Sequence, residues 1–291
     1  MLRIATRGSA LARWQAEHVA SLLAVPTELV VVETTADQRL DLSIEQLGGK
    51  GVFVKEVQAA VLDGRADLAV HSAKDLPSVT HPGLVLAAVP ERGDARDALV
   101  GSTLDTIPVG GRIATGSVRR RAQLANSRPD LTFDGLRGNM QTRLAKAAAY
   151  DAIVVAAVAL ERLGLAEQIA EVLDPAVVLP QVGQGALAVE CGVDDAATAA
   201  LLAAVEHQQS RLAVDAERGF LAELGGDCNL PAGAYATVTA DGGLSLDAVL
   251  ASLDGHVVLR HHVAGPAGAD PAALGRSAAR HLLDNGGAAL L

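Results

Sequence analysis

Through its first two-thirds the chain alternates short apolar runs with segments of helical period, and this restricts it to an α/β architecture of crossover units on mostly parallel sheets. Leu2 to Thr6 reads as a strand and Ala10 to Leu23 as a helix capped by Ser9. Strand-like runs follow at Leu29 to Glu33 and Ala66 to Val70, the second preceded by a helix from Val52 to Asp63 that Gly64 closes. Pro90 to Asp97, rich in Pro, Gly and charge, reads as a connection. The pattern then restarts, with strands at Arg112 to Thr115, Leu131 to Leu136 and Ala152 to Ala157 and helices at Ser117 to Asn126 and Met140 to Tyr150. Two doubly wound α/β lobes result, and the strand-like Ala186 to Glu190 is placed to return to the first lobe's sheet. Beyond Ala204 come a helix, three alternating strands with turns at Asp241-Gly242-Gly243 and Asp254-Gly255, and a helix from Pro271 to Leu283. That is the pattern of a small α+β domain with a three-stranded antiparallel sheet. The expected domains are residues 1–92 with 184–203, then 93–183, then 204–291.

Half of the residues are apolar but only 2% are aromatic, so the core must be built from Ala, Val, Leu and Ile, and base stacking on a nucleic acid is poorly supported. The formal net charge of -10 hides a local field. From Arg112 to Lys146 eight basic residues (Arg112, Arg119, Arg120, Arg121, Arg128, Arg137, Arg143, Lys146) face two acids, Asp130 and Asp134. The rest of the chain is correspondingly more acidic, which suits a pocket for a small polyanion. No signal-peptide core follows Met1, and no apolar run approaches the roughly 20 residues of a membrane span, so the expected location is the cytoplasm. In that setting a disulfide between Cys191 and Cys228 is not expected, and two thiols make a poor metal site.

Several turns carry chemistry. Arg7-Gly8-Ser9 lies where a strand ends and a helix begins, so backbone donors, a hydroxyl and a guanidinium converge there, the outline of an anion site. Thr115-Gly116-Ser117-Val118-Arg119-Arg120 repeats the arrangement in the second lobe, with Arg137 and Arg143 around Gly138. Arginine suits carboxylate ligands because its fork binds them bidentately. Burial decides the strength: a buried contact is worth about 1.5–3 kcal/mol and an exposed ion pair about 0–1 kcal/mol. His71-Ser72-Ala73-Lys74-Asp75-Leu76-Pro77 leaves the carboxyl end of an apolar strand, where ligands gather in α/β sheets. Gly48-Gly49-Lys50-Gly51-Val52-Phe53 reads as a lid loop carrying a cation, without the spacing of a nucleotide P-loop. Gly225-Gly226-Asp227-Cys228-Asn229-Leu230-Pro231 puts a cysteine on a turn, whereas Cys191 ends an apolar strand and fits a buried role.

These motifs, together with Leu136-Arg137-Gly138-Asn139, Arg162-Leu163-Gly164 and Val182-Gly183-Gln184-Gly185-Ala186, resemble those of the hydroxymethylbilane synthases in order and separation across essentially the whole chain. The resemblance implies two lobes like periplasmic binding proteins plus a third domain, and a dipyrromethane cofactor joined by a thioether to Cys228. It implies that the enzyme condenses four porphobilinogen molecules head to tail with loss of ammonia, then releases hydroxymethylbilane by hydrolysis, as a monomer that binds neither nucleic acid nor membrane. Its catalytic aspartate falls on Asp75. Cofactor contacts fall on Ser72, Lys74, Thr115, Ser117, Arg119, Arg120, Arg143 and Gln184, and substrate contacts on Arg7, Ser9, Lys50, Phe53, Arg137, Arg143 and Arg162. Two positions depart from the family pattern: Gln46 stands where a lysine is common, and Ala36 interrupts a Thr-x-Gly-Asp segment. From another functional class, a two-lobed binder of anionic solutes would use the same cradles but leaves Asp75 and the loop thiol unexplained.

Overall fold

Residues 1–33, 54–225 and 230–291 are described by a computed structural model. The described elements begin with β1 (Leu2–Arg7), α1 (Ala10–Leu22), β2 (Thr27–Val32), α2 (Lys55–Leu62), β3 (Leu68–Ser72) and β4 (Leu84–Ala88). They continue with β5 (Asp97–Val100), β6 (Arg112–Ala114), α3 (Val118–Ser127), β7 (Thr132–Asp134), α4 (Met140–Ala147), β8 (Ala152–Ala156), α5 (Ala157–Arg162) and β9 (Glu171–Val172). After these come β10 (Leu187–Gly192), α6 (Ala196–Leu202), α7 (Gln208–Glu223), β11 (Ala232–Val238), β12 (Leu244–Ala251), β13 (Val258–Gly265) and α8 (Pro271–Asp284). The chain divides into two compact units, Met1–Gly93 with Ala186–Arg211 and Asp94–Gly185 with Leu212–Leu291.

The first unit is built on a five-stranded sheet of order β2-β1-β3-β10-β4. Strand β1 runs parallel to β2 and β3, whereas β10 is antiparallel to both β3 and β4. The sheet is therefore mixed, not mostly parallel. The cause is that β10 arrives after a long excursion and escapes the helical crossover that keeps consecutive strands parallel. Successive strand residues point to opposite faces, and the core divides accordingly. Ile4, Leu68, Val70, Leu187 and Val189 meet Ala16 and Val19 of α1 and Leu202 of α6, with Cys191 buried among them. On the other face Ala5, Ala69 and Leu84 meet Val57, Ala60 and Val61 of α2. Ser9 caps α1 by accepting the Ala12 N–H at 3.2 Å, and Gly64 closes α2 with φ +71°.

The second unit holds a five-stranded sheet of order β7-β6-β8-β5-β9, again mixed, with β6 parallel to β7 and β8 and β5 antiparallel to β8 and β9. Leu99, Ile113, Val154 and Leu124 of α3 form its core. The same unit contains the three-stranded antiparallel sheet β11-β12-β13. Ala234, Leu246 and Leu250 on that sheet pack against Ala216 and Phe220 of α7 and Ala279 and Leu282 of α8. With so few aromatic rings available, the helices close the gap by direct approach. A Cβ on Gly275 of α8 would run into the Ala216 carbonyl of α7.

Candidate active site

In the first unit the carboxyl ends of the parallel neighbours β1 and β3 build one cradle. Arg7 ends β1, Ser9 caps α1, and Ser72 ends β3 and leads into a 3₁₀ turn, Ala73–Asp75. Arg7, Ser9, Ser72 and Asp75 line a single cavity, joined there by Gln15 and His71. Lys74 is half-buried on the same turn. The turn is held to the sheet by the Ala73 N–H, which donates to the Ala186 carbonyl at 3.0 Å. Gln15 was not singled out in the sequence. Its side chain is 4% exposed and donates to Ser72 Oγ at 2.8 Å. Its signal was a polar residue between Ala12 and Ala16 on the inward side of an amphipathic helix. Lys50, Phe53, Ala36 and Gln46 lie outside the described residues.

In the second unit the equivalent cradle forms at the ends of β6 and β7. The Thr115 N–H donates to the Asp134 carbonyl at 2.9 Å, the Ser117 N–H donates to Thr115 Oγ1 at 3.2 Å, and Ser117 Oγ accepts the Arg120 N–H to cap α3. Gly116 permits the two turns to touch, since a Cβ there would lie 2.7 Å from the Leu136 carbonyl oxygen. On the adjoining turn Arg137 is exposed, and Arg143 Nε donates to the Gly138 carbonyl at 2.8 Å.

Arg119 and Arg120 point inward and share one carboxylate. Arg119 Nη2 lies 2.7 Å from Asp97 Oδ2, and Arg120 Nε donates to Asp97 Oδ1 at 2.9 Å. Gln184 Nε2 donates to the same Oδ1 at 2.8 Å, and Arg120 also donates to Gln184 Oε1. Side-chain exposure is 2% for Arg119, 7% for Arg120 and 0% for Asp97. Burial alone would push the Asp97 carboxyl up, but the two guanidiniums overcome it and hold the group well below the ordinary carboxylate range. Two cations against one anion leave a net positive charge in the interior. Arg119 Nε, also buried, has no hydrogen-bond acceptor among the described residues. Arg162 adds a further guanidinium, donating to the Gly185 carbonyl at 2.7 Å, next to Gln184. Burial pushes its pKa down to about 10, so it remains charged at neutral pH.

Two sequence expectations need correction. Asp97 is the first residue of β5 and the counterion of the arginine pair, not the tail of a connection; an acid heading the apolar run Ala98–Val100 was its only mark. The basic segment also does not act as one pocket. Arg112 pairs with Asp134, Arg128 with Asp130, and Arg121 is exposed. The segment's own two acids therefore engage arginines away from the buried pair. Cys228 lies outside the described residues, and Cys191 is fully buried, as its apolar strand indicated.

Residues 2–200 match the family model described as porphobilinogen deaminase, dipyromethane cofactor binding domain, and residues 211–284 match the model of the porphobilinogen deaminase C-terminal domain. Porphobilinogen deaminase of Chromobacterium violaceum is 48% identical over 99% of this chain and 96% of its own length. The enzyme of the same name from Nitratidesulfovibrio vulgaris strain Miyazaki F is 45% identical over 100% of this chain and 96% of its own. Among solved structures, the periplasmic VFT2 domain of Bordetella pertussis BvgS aligns with 70% of this chain and 86% of its own at a TM-score of 0.40 and 18% identity.

Proposed function

This chain belongs to the porphobilinogen deaminase family, and from that premise we propose which of its side chains do the work. The enzyme is a transferase that makes hydroxymethylbilane from porphobilinogen on a dipyrromethane primer, in tetrapyrrole biosynthesis. When bound, the primer supplies the nucleophilic pyrrole carbon to which each new unit is joined. Residues of the second unit fit such a group. Its acidic side chains are matched by the net positive Arg119–Asp97–Arg120 cluster, and the buried, unsatisfied Arg119 Nε offers a donor that an anion would satisfy. That orphaned donor is the observation that carries the assignment. Arg119, Arg120, Thr115, Ser117, Arg143 and Gln184, with Ser72 and Lys74 of the first unit, hold the primer's carboxylates, and Cys228 carries its covalent link.

Incoming porphobilinogen also bears two carboxylates, and Arg7, Ser9, Lys50, Arg137, Arg143 and Arg162 receive them, with Phe53 against the ring. Asp75 performs the chemistry. As the aminomethyl nitrogen departs as ammonia, the carbon it leaves becomes cationic, and the Asp75 carboxylate stabilises that charge. A unit charge pair about 4 Å apart at an effective dielectric near 20 is worth about 4 kcal/mol, on the order of a thousandfold in rate. Coupling releases one ring proton for each unit joined, and Asp75 is the group that would take it up and hand it to the departing ammonia, which leaves as ammonium. We place the enzyme in the cytoplasm as a monomer that binds no nucleic acid, with residues 93–183 and 204–291 acting as separate domains. Among the described residues no helix is long and apolar enough to cross a membrane.

Intact mass of the purified chain tests the reading. A two-pyrrole excess that disappears in Cys228→Ser supports it. A wild-type chain at its bare sequence mass, binding pyrrole carboxylates without turnover, would instead fit a solute binder.

A further inference from the structure

Glu217 of α7 is a fully buried carboxylate with no part in the chemistry above. Its two oxygens accept backbone N–H groups from separate segments of the second unit: Oε2 from Gly183 at 2.7 Å and Oε1 from Ala236 of β11 at 2.9 Å. Among the described residues strand β11 is the edge of its sheet, paired with β12 alone. Residues 179–183 run along that open edge. Val182 joins the apolar cluster that includes Ala234 and Ala236, and a Cβ on Gly233 would lie 2.5 Å from the Pro180 oxygen and 3.0 Å from the Leu179 oxygen. The carboxylate thus bridges two backbones that carry no ladder between them, and Gly233 lets them come close.

What the clasp fastens is specific. The same Gly233 Cβ would lie 3.1 Å from Arg119 Cδ, and the Leu179 carbonyl beside it accepts from Arg119 Nη1 and Gln123 Nε2. One residue beyond Gly183, Gln184 donates to Asp97 and accepts from Arg120, and the Gly185 carbonyl accepts from Arg162. On the other side of the clasp, β11 begins four residues after Cys228 in sequence. We infer that Glu217 and Gly233 are positioning residues for the primer. They set the spacing between the strand that leaves the anchor cysteine and the arginines that grip the anchored group's carboxylates. An apolar side chain at 217 would leave the buried Gly183 and Ala236 N–H groups without this acceptor. A buried carboxylate costs several kcal/mol unless such hydrogen bonds offset it, so its position is tied to both backbones at once.

This inference rests on the assignment of Cys228 and the arginine pair to the primer, and the experiment separates the two. Wild type, Glu217→Gln, Gly233→Ala and Gly287→Ala are purified from the same host. The fraction of chains carrying the two-pyrrole mass is read beside Tm. Glu217→Gln keeps one carbonyl oxygen and turns an NH₂ against the second N–H. Gly287→Ala forces a Cβ against the Leu282 carbonyl of α8 and the Leu250 side chain of β12, in the same unit but away from Glu217, Gly233 and residues 179–185. The expected result is a fivefold or greater loss of loaded chains in Glu217→Gln and Gly233→Ala, and wild-type loading in Gly287→Ala despite a comparable fall in Tm. Wild-type loading in Glu217→Gln, or loading that simply follows Tm across all three variants, overturns the inference. If Gly233→Ala gives no folded protein, Glu217→Gln decides by the same criterion. A wild-type chain with no added mass would instead defeat the assignment beneath it.

Discussion

Replacing Asp97 with Asn removes the one carboxylate between two buried guanidiniums while keeping the side chain's shape and its Oδ1 acceptor. Arg119 and Arg120, at 2% and 7% side-chain exposure, are then left to repel each other in the interior. Breaking a buried pair by removing one partner costs about 3–5 kcal/mol. At about 2–4 °C per kcal/mol for a domain of 150–250 residues, Tm should fall by roughly 6–20 °C. The pH dependence gives an independent check. The folded-state carboxyl of Asp97 is held below its unfolded value, so its contribution is fully present above the unfolded pKa of about 3.9 and is lost as pH falls toward the folded one. Wild type should lose stability steeply below about pH 5, and Asp97→Asn should lose distinctly less over the same interval. Loading matters as well: a bound carboxylate replaces part of the missing charge, so the loss should be larger in a Cys228→Ser background than in the loaded enzyme. Differential scanning calorimetry from pH 3 to pH 8 reads all three quantities. An Asp97→Asn protein melting within about 2 °C of wild type, with an unchanged acid slope, would show that the arginines do not depend on this residue.

Asp75→Ala should fold and keep its two-pyrrole mass while kcat falls about a thousandfold, and near-normal turnover in a single-cycle assay would remove Asp75 from the mechanism. Gln15→Leu, which frees Ser72 Oγ from its 2.8 Å hydrogen bond, should raise KM several-fold and lower stability by about 1 kcal/mol with the loaded mass intact; an unchanged KM counts against Gln15 in the cradle. Arg112→Ala should leave KM and Tm at wild-type values because its partner Asp134 is a surface acid, and a raised KM would return Arg112 to the site. Cys191→Ser should cost about 1–3 kcal/mol in chemical denaturation by burying a hydroxyl in an apolar cluster, yet mass spectrometry should find it loaded like wild type.

The sequence reading succeeded where local signals agree with tertiary structure. Ser9 caps the helix at which it was expected, because a short side-chain oxygen before an apolar-periodic run has few other uses; Ser117, read as the first residue of its helix, caps that helix. The C-terminal strands were legible from alternation and two Gly turns. What stayed hidden depends on partners distant in the chain. β4, β5 and β9 were not read; length alone does not set β4 and β5 apart, since β6 and β7, three residues each, were read between clear helical segments. Nothing near Leu187 reveals that β10 runs antiparallel, since direction is set by where the chain has come from. The site divides along the same line. Arg7, Ser9, Ser72 and Asp75 sit on turns whose composition announces them, and they line one cavity. Asp97 pairs with residues more than twenty positions away, and local sequence cannot separate arginines bound to it from Arg112 and Arg128, whose acids lie on the surface.

Among the described residues strand β4 has a single neighbour in its sheet, and that neighbour is β10. During synthesis the first 93 residues therefore emerge with a sheet missing its fourth member and with β4 unable to dock. About a hundred further residues must be translated before the gap can be filled, roughly 5–20 s at ordinary elongation rates. Over that interval the nascent amino-terminal segment exposes two unpaired edges, while the second five-stranded sheet, complete by Val172, has all its strands in hand. The part of the enzyme that starts first thus finishes later, and its open strand edges are the kind of surface that pairs with other chains before the fold closes.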